Sequence, residues 1–541
     1  MEGNLKQALC AWQNILGLEY VITDEASLKV SQTATFLTTQ RTLAIIQPGD
    51  RAEVQQCLKI ANQYQIPIYP ISTGKNWGYG SSVPVQDSCV IMSLARLNGI
   101  VDYDEKLAYV TVEPGVTQRQ LFEYLQSQKS NLWMSVTGST PDSSLIGNIL
   151  ERGLGEGLYG DRFNYVCGLE VVLPTGECIH TGFGRFAEAR AVRVNRWGVG
   201  PYVDGLFTQS NLGVVTQMTL WLTPIPKYFQ LFWYAINEDT RLEDLVDSVR
   251  YLKMQGLIPS AFVINNDIRM LSYQQQYPWQ EAEGEMPLPL DLRHQLRKQW
   301  GGGLWGGEAA LYSASQEHGQ VVCELIQKTL GKVVNKLYFL DDAIAQMPKT
   351  TLTEMFPNID TDEMLKWYNE NPKRGFPTEL ALSMTYWRKS SPRPSSGINP
   401  DRDGCGLLWC SPAVPFVGQH VRKAVKIIEE TTNAYFFEPN IGLNCITERN
   451  INITAAIVYD RGVSGEDERA LACYEDMRCR LIHAGYFPYR LSTHSMQALP
   501  PAQDDYNQFL NKLKQVLDPN NILAPGRYEF YQPDHVPFQG S

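Results

Sequence analysis

Residues 43–82 read LAIIQPGDRAEVQQCLKIANQYQIPIYPISTGKNWGYGSS, and their order of strand, helix, strand and glycine-rich loop decides the fold. Ala44, Ile45 and Ile46 form a short apolar run. Asp50 followed by Glu53 gives an N-cap signature, and Val54, Cys57, Leu58 and Ala61 recur on one helical face. Residues 66–71 supply a second strand, which completes a βαβ unit. The next segment, Ser72-Thr73-Gly74-Lys75-Asn76-Trp77-Gly78-Tyr79-Gly80-Ser81-Ser82, is rich in Gly, Ser and Asn, so its backbone amides can wrap an anion. It is not a Walker A loop, because the Gly-Lys pair lacks both the upstream glycine and the following Ser or Thr. Nor is it a GxGxxG turn opening a helix. Taken alone, the loop also reads as a plain surface turn.

Working outward, strands are expected at 88–94 and 107–112, and Thr117 with Gln120 starts a helix through Leu121, Phe122, Tyr124 and Leu125. VTGSTPDSSLIGN (136–148) and ERGLGEGLYGD (151–161) follow, with six glycines in the 24 residues 138–161. Such density implies backbone packed close to something. GLEVVLPTGE (168–177) reads as strand, tight turn and returning strand, and GPYVDGLFTQSNLGVVT (200–216) runs into a strand at 218–222. From about 230 to 485 the glycine-rich loops give way to apolar strands such as 231–235 alternating with charged helices such as 240–254. GGGLWGG (301–307) reads there as the start of a strand rather than a phosphate site. The last segment resembles the first in composition. Tyr506, Phe509, Leu510, Leu513 and Val516 have helical spacing, and LDPNNILAPGR (517–527) reads as a helix stop and a packed tail.

At 541 residues the chain exceeds what one core usually serves, and an apolar fraction of 43% with 19% charged residues marks it as globular. Lys and Arg total 47 against 58 Asp and Glu, a net charge of −11, the wrong sign for a protein held on phosphate backbones. Nucleic acid is therefore excluded as a partner. The N-terminus lacks a basic region before an apolar stretch, and no window nears the ~18 apolar residues of a membrane span, so a cytoplasmic chain without a membrane partner is expected. The eleven cysteines show no CxxC spacing and are expected as reduced thiols, with no metal site.

PISTGKNWGYG (70–80), PDSSLIGN (141–148) with ERGLGEGLYGD, GLEVVLPTGE, GPYVDGLFTQSNLGVVT and LDPNNILAPGR resemble, in order and spacing, the flavoproteins of the vanillyl-alcohol oxidase and p-cresol methylhydroxylase (PCMH) type. The resemblance covers nearly the whole chain. It implies an α+β fold of two domains: a PCMH-type FAD-binding domain made of residues 1–230 and 486–541, enclosing an α/β cap, 231–485, that carries most of the substrate pocket. It implies that Ser72, Thr73, Gly74, Lys75, Asn76, Gly78 and Tyr79 hold the FAD pyrophosphate through backbone amides. Gly138, Ser144, Ile146, Gly147 and Asn148 would line the ribityl chain and flavin ring, where only small residues admit a flat ring. Val214, Val215 and Thr216 would lie near the adenine, and Arg527 would reach the flavin or pair with a carboxylate.

By the same resemblance, a phenolic substrate is bound as phenolate and gives a hydride from its benzylic carbon to the flavin. That chemistry needs hydroxyl donors and positive charge, for which Tyr79, Tyr489 and Arg490 are the matching positions. Asp142 is the candidate acid near the flavin, with a turn-forming Asp as its other reading. Two departures qualify the match. The oxidase's flavin-linking histidine aligns with 449–454, which holds none, and the methylhydroxylase's linking tyrosine falls near Asn440, with Tyr435 reachable only by a gap, so the FAD is expected without a covalent bond. Glu156 replaces a second active-site tyrosine, and a carboxylate there would repel a phenolate or pair with a basic substrate. Three readings follow: oxidation of a para-substituted phenol or related aromatic alcohol; oxidation of a non-phenolic hydroxyl or amine compound on the same flavin site; and a flavin-bearing binding protein without turnover. The expected partners are a small-molecule substrate and oxygen or a redox protein as electron acceptor, with a homodimer left open.

Overall fold

The computed structural model describes residues 2–357, 359–499 and 504–529. Strand Thr42–Ile46, helix Arg51–Tyr64 and strand Ile68–Ile71 form as read, and Cys89–Ser93 slots between the two strands, parallel to both. The Asp50 carboxylate caps the helix by accepting from the Glu53 amide at 2.8 Å, while the Glu53 carboxylate reaches one residue further back, to the Gly49 amide at 2.6 Å. Val54, Cys57, Leu58 and Ala61 are fully buried against this sheet. The chain's return docks on the same edge: the Ile68 amide donates to the Ile522 carbonyl and the Ala524 amide to the Ile68 carbonyl, both at 2.7 Å.

A second, antiparallel sheet has the order Ile100–Asp104, Tyr109–Val112, Val214–Trp221, Val166–Val172, Cys178–His180. The first of these strands escapes the sequence reading because its residues are only half buried and lack an apolar face. Leu107, expected in a strand, sits instead in the exposed turn before it. Thr117 caps helix Gln118–Ser127 through the Gln120 amide at 3.2 Å, but the Gln120 side chain donates to the Asn98 carbonyl rather than closing a capping box.

The third sheet is built from residues 228–460. Lys336–Asp341, Tyr228–Ile236, Trp305–Ser313, Phe262–Asn266, Asn440–Cys445, Asn450–Asp460 and Cys405–Cys410 follow one another antiparallel, and Ala413–Pro415 pairs with Asn450–Asp460. Helices Leu242–Met254, Gln316–Leu330, Gly418–Ala434 and Glu466–His483 cover one face and form the largest core with it. Strand alternation turns the other set of residues, including Val263, Asn265, Leu407, Trp409, Asn444 and Thr454, toward the glycine loops of the first two sheets. We propose the division at about 230 and 485 on this sheet membership.

The helix expected at the C-terminal end forms as Asp505–Leu517; of the stripe that predicts it, Leu510 and Leu513 are half buried, while Tyr506 is 64%, Phe509 53% and Val516 77% exposed. Periodicity reports a helix and not whether anything covers it.

Gly307 shows how tightly the large sheet is drawn. A Cβ there would lie 2.0 Å from the Val263 carbonyl oxygen, which is backbone and cannot swing aside. Gly307→Ala should cost about 1–3 kcal/mol through overpacking, read as a lower thermal midpoint. Gly205→Ala, where no atom lies within 4 Å of the added Cβ, should leave the midpoint close to wild type.

Candidate FAD and substrate site

A cleft runs between the glycine loops and the uncovered face of the large sheet. Residues 69–77, Tyr79, 137–139, 143–144, 146–148 and 213–215 line one side, with Tyr489, Arg490 and Arg527; Val263, Asn265, Arg269, Leu407, Trp409 and Thr454 line the other. The loop at 72–82 is no ordinary turn. Among the described residues, the backbone N–H groups of Thr73, Gly74, Lys75, Asn76 and Trp77 donate to no protein acceptor, although all five residues face the cleft. Gly74 and Gly78 hold φ of +69° and +78°, and a Cβ on Gly78 would overlap the Trp409 ring at 2.2 Å. Successive free amides of this kind form an anion cradle.

Opposite, Ser144 caps helix Leu145–Leu150 by accepting from the Gly147 amide at 2.9 Å, and its own amide donates to the Thr73 hydroxyl at 3.2 Å. A Cβ on Gly147 would come within 2.9 Å of the Ser72 hydroxyl. Gly138, Gly147 and Gly213 thus leave a wall without side chains, which suits a flat ring, while the amide cradle suits a pyrophosphate. These residues fit FAD.

Beside that wall lies a buried ionic group. Glu151, at the end of the 145–150 helix, pairs with Arg527 and with Arg490, the latter at 3.4 Å, and accepts from the Tyr528 hydroxyl at 3.1 Å. Burial by itself would raise the Glu151 carboxyl; Arg527 and then Arg490 outweigh it and hold the group below its ordinary value. Two guanidiniums on one carboxylate leave a net positive charge facing the cleft. Arg490 also donates to the Asn76 side chain at 2.5 Å and lies over the Tyr79 ring, 4.3 Å from its centre. The Tyr79 hydroxyl meets the Ser411 hydroxyl at 2.8 Å. Burial, foremost, pushes the Tyr79 and Tyr489 phenols above their ordinary value, so both keep their protons at neutral pH and are available as donors.

The structure brings Ser72, Thr73, Gly74, Lys75, Asn76, Tyr79, Gly138, Ser144, Ile146, Gly147, Asn148, Val214, Val215, Tyr489, Arg490 and Arg527 to one cleft. Three named residues stand apart from its lining. Gly78 is turned to Trp409. Thr216 is buried in its strand, donating to the Glu170 carboxylate at 2.7 Å. Asp142 is a correction: it is half exposed, it accepts from the Arg119 guanidinium at 2.8 Å, and it does not reach the cleft. The turn-forming reading of that Pro-Asp pair is the one the fold takes.

Glu156 does line the cleft, but Lys373 engages it at 3.0 Å and bridges to Glu308 at the same distance. Among the described residues, no histidine lines the cleft. Tyr435 ends helix Gly418–Ala434 against the core on the covered side of the sheet, away from the cleft. The cysteines are all free thiols. One trio with ligand atoms within 4.8 Å of each other, Glu170, Cys178 and His180, lies outside the cleft, and Arg51 already takes the Glu170 carboxylate at 3.2 Å. Sequence reading missed Glu151, Arg269, Asn265 and Trp409. Only Glu151 had a local signal, as the acidic residue directly after the IGN helix.

Residues 42–182 match the model of an FAD binding domain. Over 528 residues, 97% of each chain, the protein is 47% identical to 1'-carboxy-chondrochloren decarboxylase of Chondromyces crocatus. It is 29% identical to the 4-cresol dehydrogenase [hydroxylating] flavoprotein subunit of Pseudomonas putida, over 88% of this chain and 85% of that one. The crystal structure of p-cresol methylhydroxylase with substrate bound superposes over 98% of both chains with a TM-score of 0.87 at 27% identity. No helix among the described residues is long and apolar enough to cross a membrane. A free-amide cradle, a wall bared by glycine and relatives aligned from end to end have one common explanation: the chain belongs to the PCMH-type family of FAD-dependent oxidoreductases.

Proposed function

We propose that the enzyme oxidises a para-hydroxyphenyl compound at its benzylic carbon. The observation that carries this reading is the clustering of Tyr79, Tyr489 and Arg490, two protonated phenols and a guanidinium, beside a wall fit for a flavin. Bound FAD supplies a two-electron acceptor for a hydride. The residues supply the rest. Tyr79 and Tyr489 donate to the substrate oxygen and favour its ionised form, and Arg490 adds fixed positive charge where negative charge develops. Both functions need water kept out, and the buried Tyr79–Ser411 contact closes that side of the cleft.

The decarboxylase name of the 47% identical relative supports a substrate that also bears a carboxylate. With that group on the carbon next to the benzylic position, loss of the benzylic hydride and the phenolic proton leaves a quinone methide. The C–CO₂ bond then breaks, its electron pair forms the new C=C bond, the ring electrons return to the phenolate oxygen, and CO₂ departs. Oxygen or a redox protein would take up the two electrons afterwards. The amine reading rested on a free Glu156, and Lys373 removes that support.

We read the FAD as non-covalently held, since among the described residues the cleft offers no histidine and Tyr435 lies elsewhere. Acid precipitation should therefore release the yellow colour as FAD; colour retained in the pellet would require a bond to one of the lining tyrosines. Arg490→Ala should slow anaerobic flavin reduction by about 10²-fold or more, as loss of a preorganised donor does. FAD content should change less, because the free backbone amides at 73–77 remain, although the Arg490 bond to the Asn76 side chain is lost. Rapid mixing with a para-alkylphenol, alongside a flavin-to-protein ratio, measures both. An unchanged reduction rate would remove Arg490 from the reaction.

A further inference from the structure

Four basic side chains line the cleft: Lys75, Arg269, Arg490 and Arg527. Arg490 and Arg527 share Glu151, and Lys75 sits in the amide cradle. Arg269 alone stands on the cap side. It is 6% exposed, and among the described residues no carboxylate lies within ion-pairing distance of its guanidinium. Asp267, two residues earlier, is taken by Arg293 and by Arg297 at 2.8 Å. The partners of Arg269 are neutral: the Tyr273 hydroxyl at 3.1 Å, the Asn440 side-chain oxygen at 2.9 Å, and the Thr454 hydroxyl and carbonyl at 3.0 and 3.4 Å. Four bonds leave one of its five N–H groups uncommitted. The Trp409 ring, 5.1 Å away, gives the charge further relief.

A buried cation without a counter-ion is costly unless something supplies the missing anion. The large sheet is shaped at this point to admit one. Asn265, Gly442 and Thr454 sit side by side in register on three neighbouring strands. A Cβ on Gly442 would meet the Asn265 side-chain oxygen at 3.0 Å, the Thr454 hydroxyl at 3.0 Å and the Arg269 guanidinium carbon at 3.3 Å. The glycine thus leaves a hollow toward which three polar side chains converge. The Asn265 amide has no hydrogen bond to any described residue and can rotate to donate.

We infer that Arg269, with Asn265 beside it over Gly442, binds the carboxylate of the substrate. This deepens the proposed function and rests on its para-hydroxyphenyl reading for the other end of the molecule. It makes the cleft bipolar: Tyr79, Tyr489 and Arg490 take the phenol, and Arg269 takes the acid, with Trp409 packed between Arg269 and Gly78. Holding the carboxylate also fixes the C–CO₂ bond relative to the ring, on which its cleavage depends.

The test compares 3-(4-hydroxyphenyl)propanoate with 4-ethylphenol on the holoenzyme. Wild type should show the higher kcat/KM for the acid. Arg269→Leu should lower the acid-to-ethylphenol ratio by about 30-fold or more, the scale of a lost charge-assisted hydrogen bond, with a raised KM for the acid, and Arg269→Lys should restore part of it. A wild-type ratio of one or less, or a ratio unmoved in Arg269→Leu, overturns the inference while leaving the phenol reading intact. Should neither compound reduce the flavin, the phenol reading falls. Calorimetric binding of the acid then decides on Arg269 alone: binding lost in Arg269→Leu supports the subsite, and absent or equal binding overturns it. If the leucine variant does not fold, Asn265→Ala and Arg269→Lys carry the same comparison.

Discussion

Glu151 holds together three segments that the chain writes far apart. Its carboxylate lies between Arg490 and Arg527, 376 residues separate it from the latter, and all three side chains are buried or nearly so. A lone carboxylate there would protonate, and lone guanidiniums would be expelled from so dry a setting. Together they are tolerable, and their geometry fixes much else. Arg490 is set over the Tyr79 ring and against Asn76, which ties the glycine loop to the segment after the cap. Arg527 donates to the Tyr69 hydroxyl, which ties the chain's return to the first sheet. The excess of one positive charge is what the site then has available for an anionic reaction partner.

The distribution of charge across the cleft follows one rule. Among the described residues, both carboxylates that line the cleft are claimed: Glu151 by two arginines, and Glu156 by Lys373, which also takes Glu308. Basic groups are left over on both sides, as half-used Arg490 and as Arg269 with neutral partners only. A cleft with this balance in a chain of net charge −11 is not a product of overall composition. It favours substrates that are, or become, negative.

How much of this was legible depended on whether the signal was local. The amide cradle was readable, because positive-φ glycines and small polar residues must stand in the loop itself, and so were the capped helix at Arg51–Tyr64 and its buried face. Tyr79, Tyr489 and Arg490 came from motif resemblance, and the fold brings them together. Asp142 misled because a Pro-Asp turn has the same local chemistry whether its carboxylate faces a cofactor or Arg119. The stripe on Asp505–Leu517 reported its helix correctly but not its burial, since spacing alone does not say what lies opposite. Arg269 was invisible for a deeper reason. Its isolation from any carboxylate, and the hollow at Gly442, arise only when three strands align in register, and no single stretch of sequence carries that information.

The central claim is that the site recognises a substrate oxygen able to become an anion. Anaerobic rapid mixing of the holoenzyme with 4-ethylphenol and, separately, with its O-methyl ether isolates that feature, since the two share ring and benzylic carbon. The account predicts bleaching of the flavin by the phenol and none on the same timescale by the ether. Equal rates of bleaching by the two compounds would contradict it.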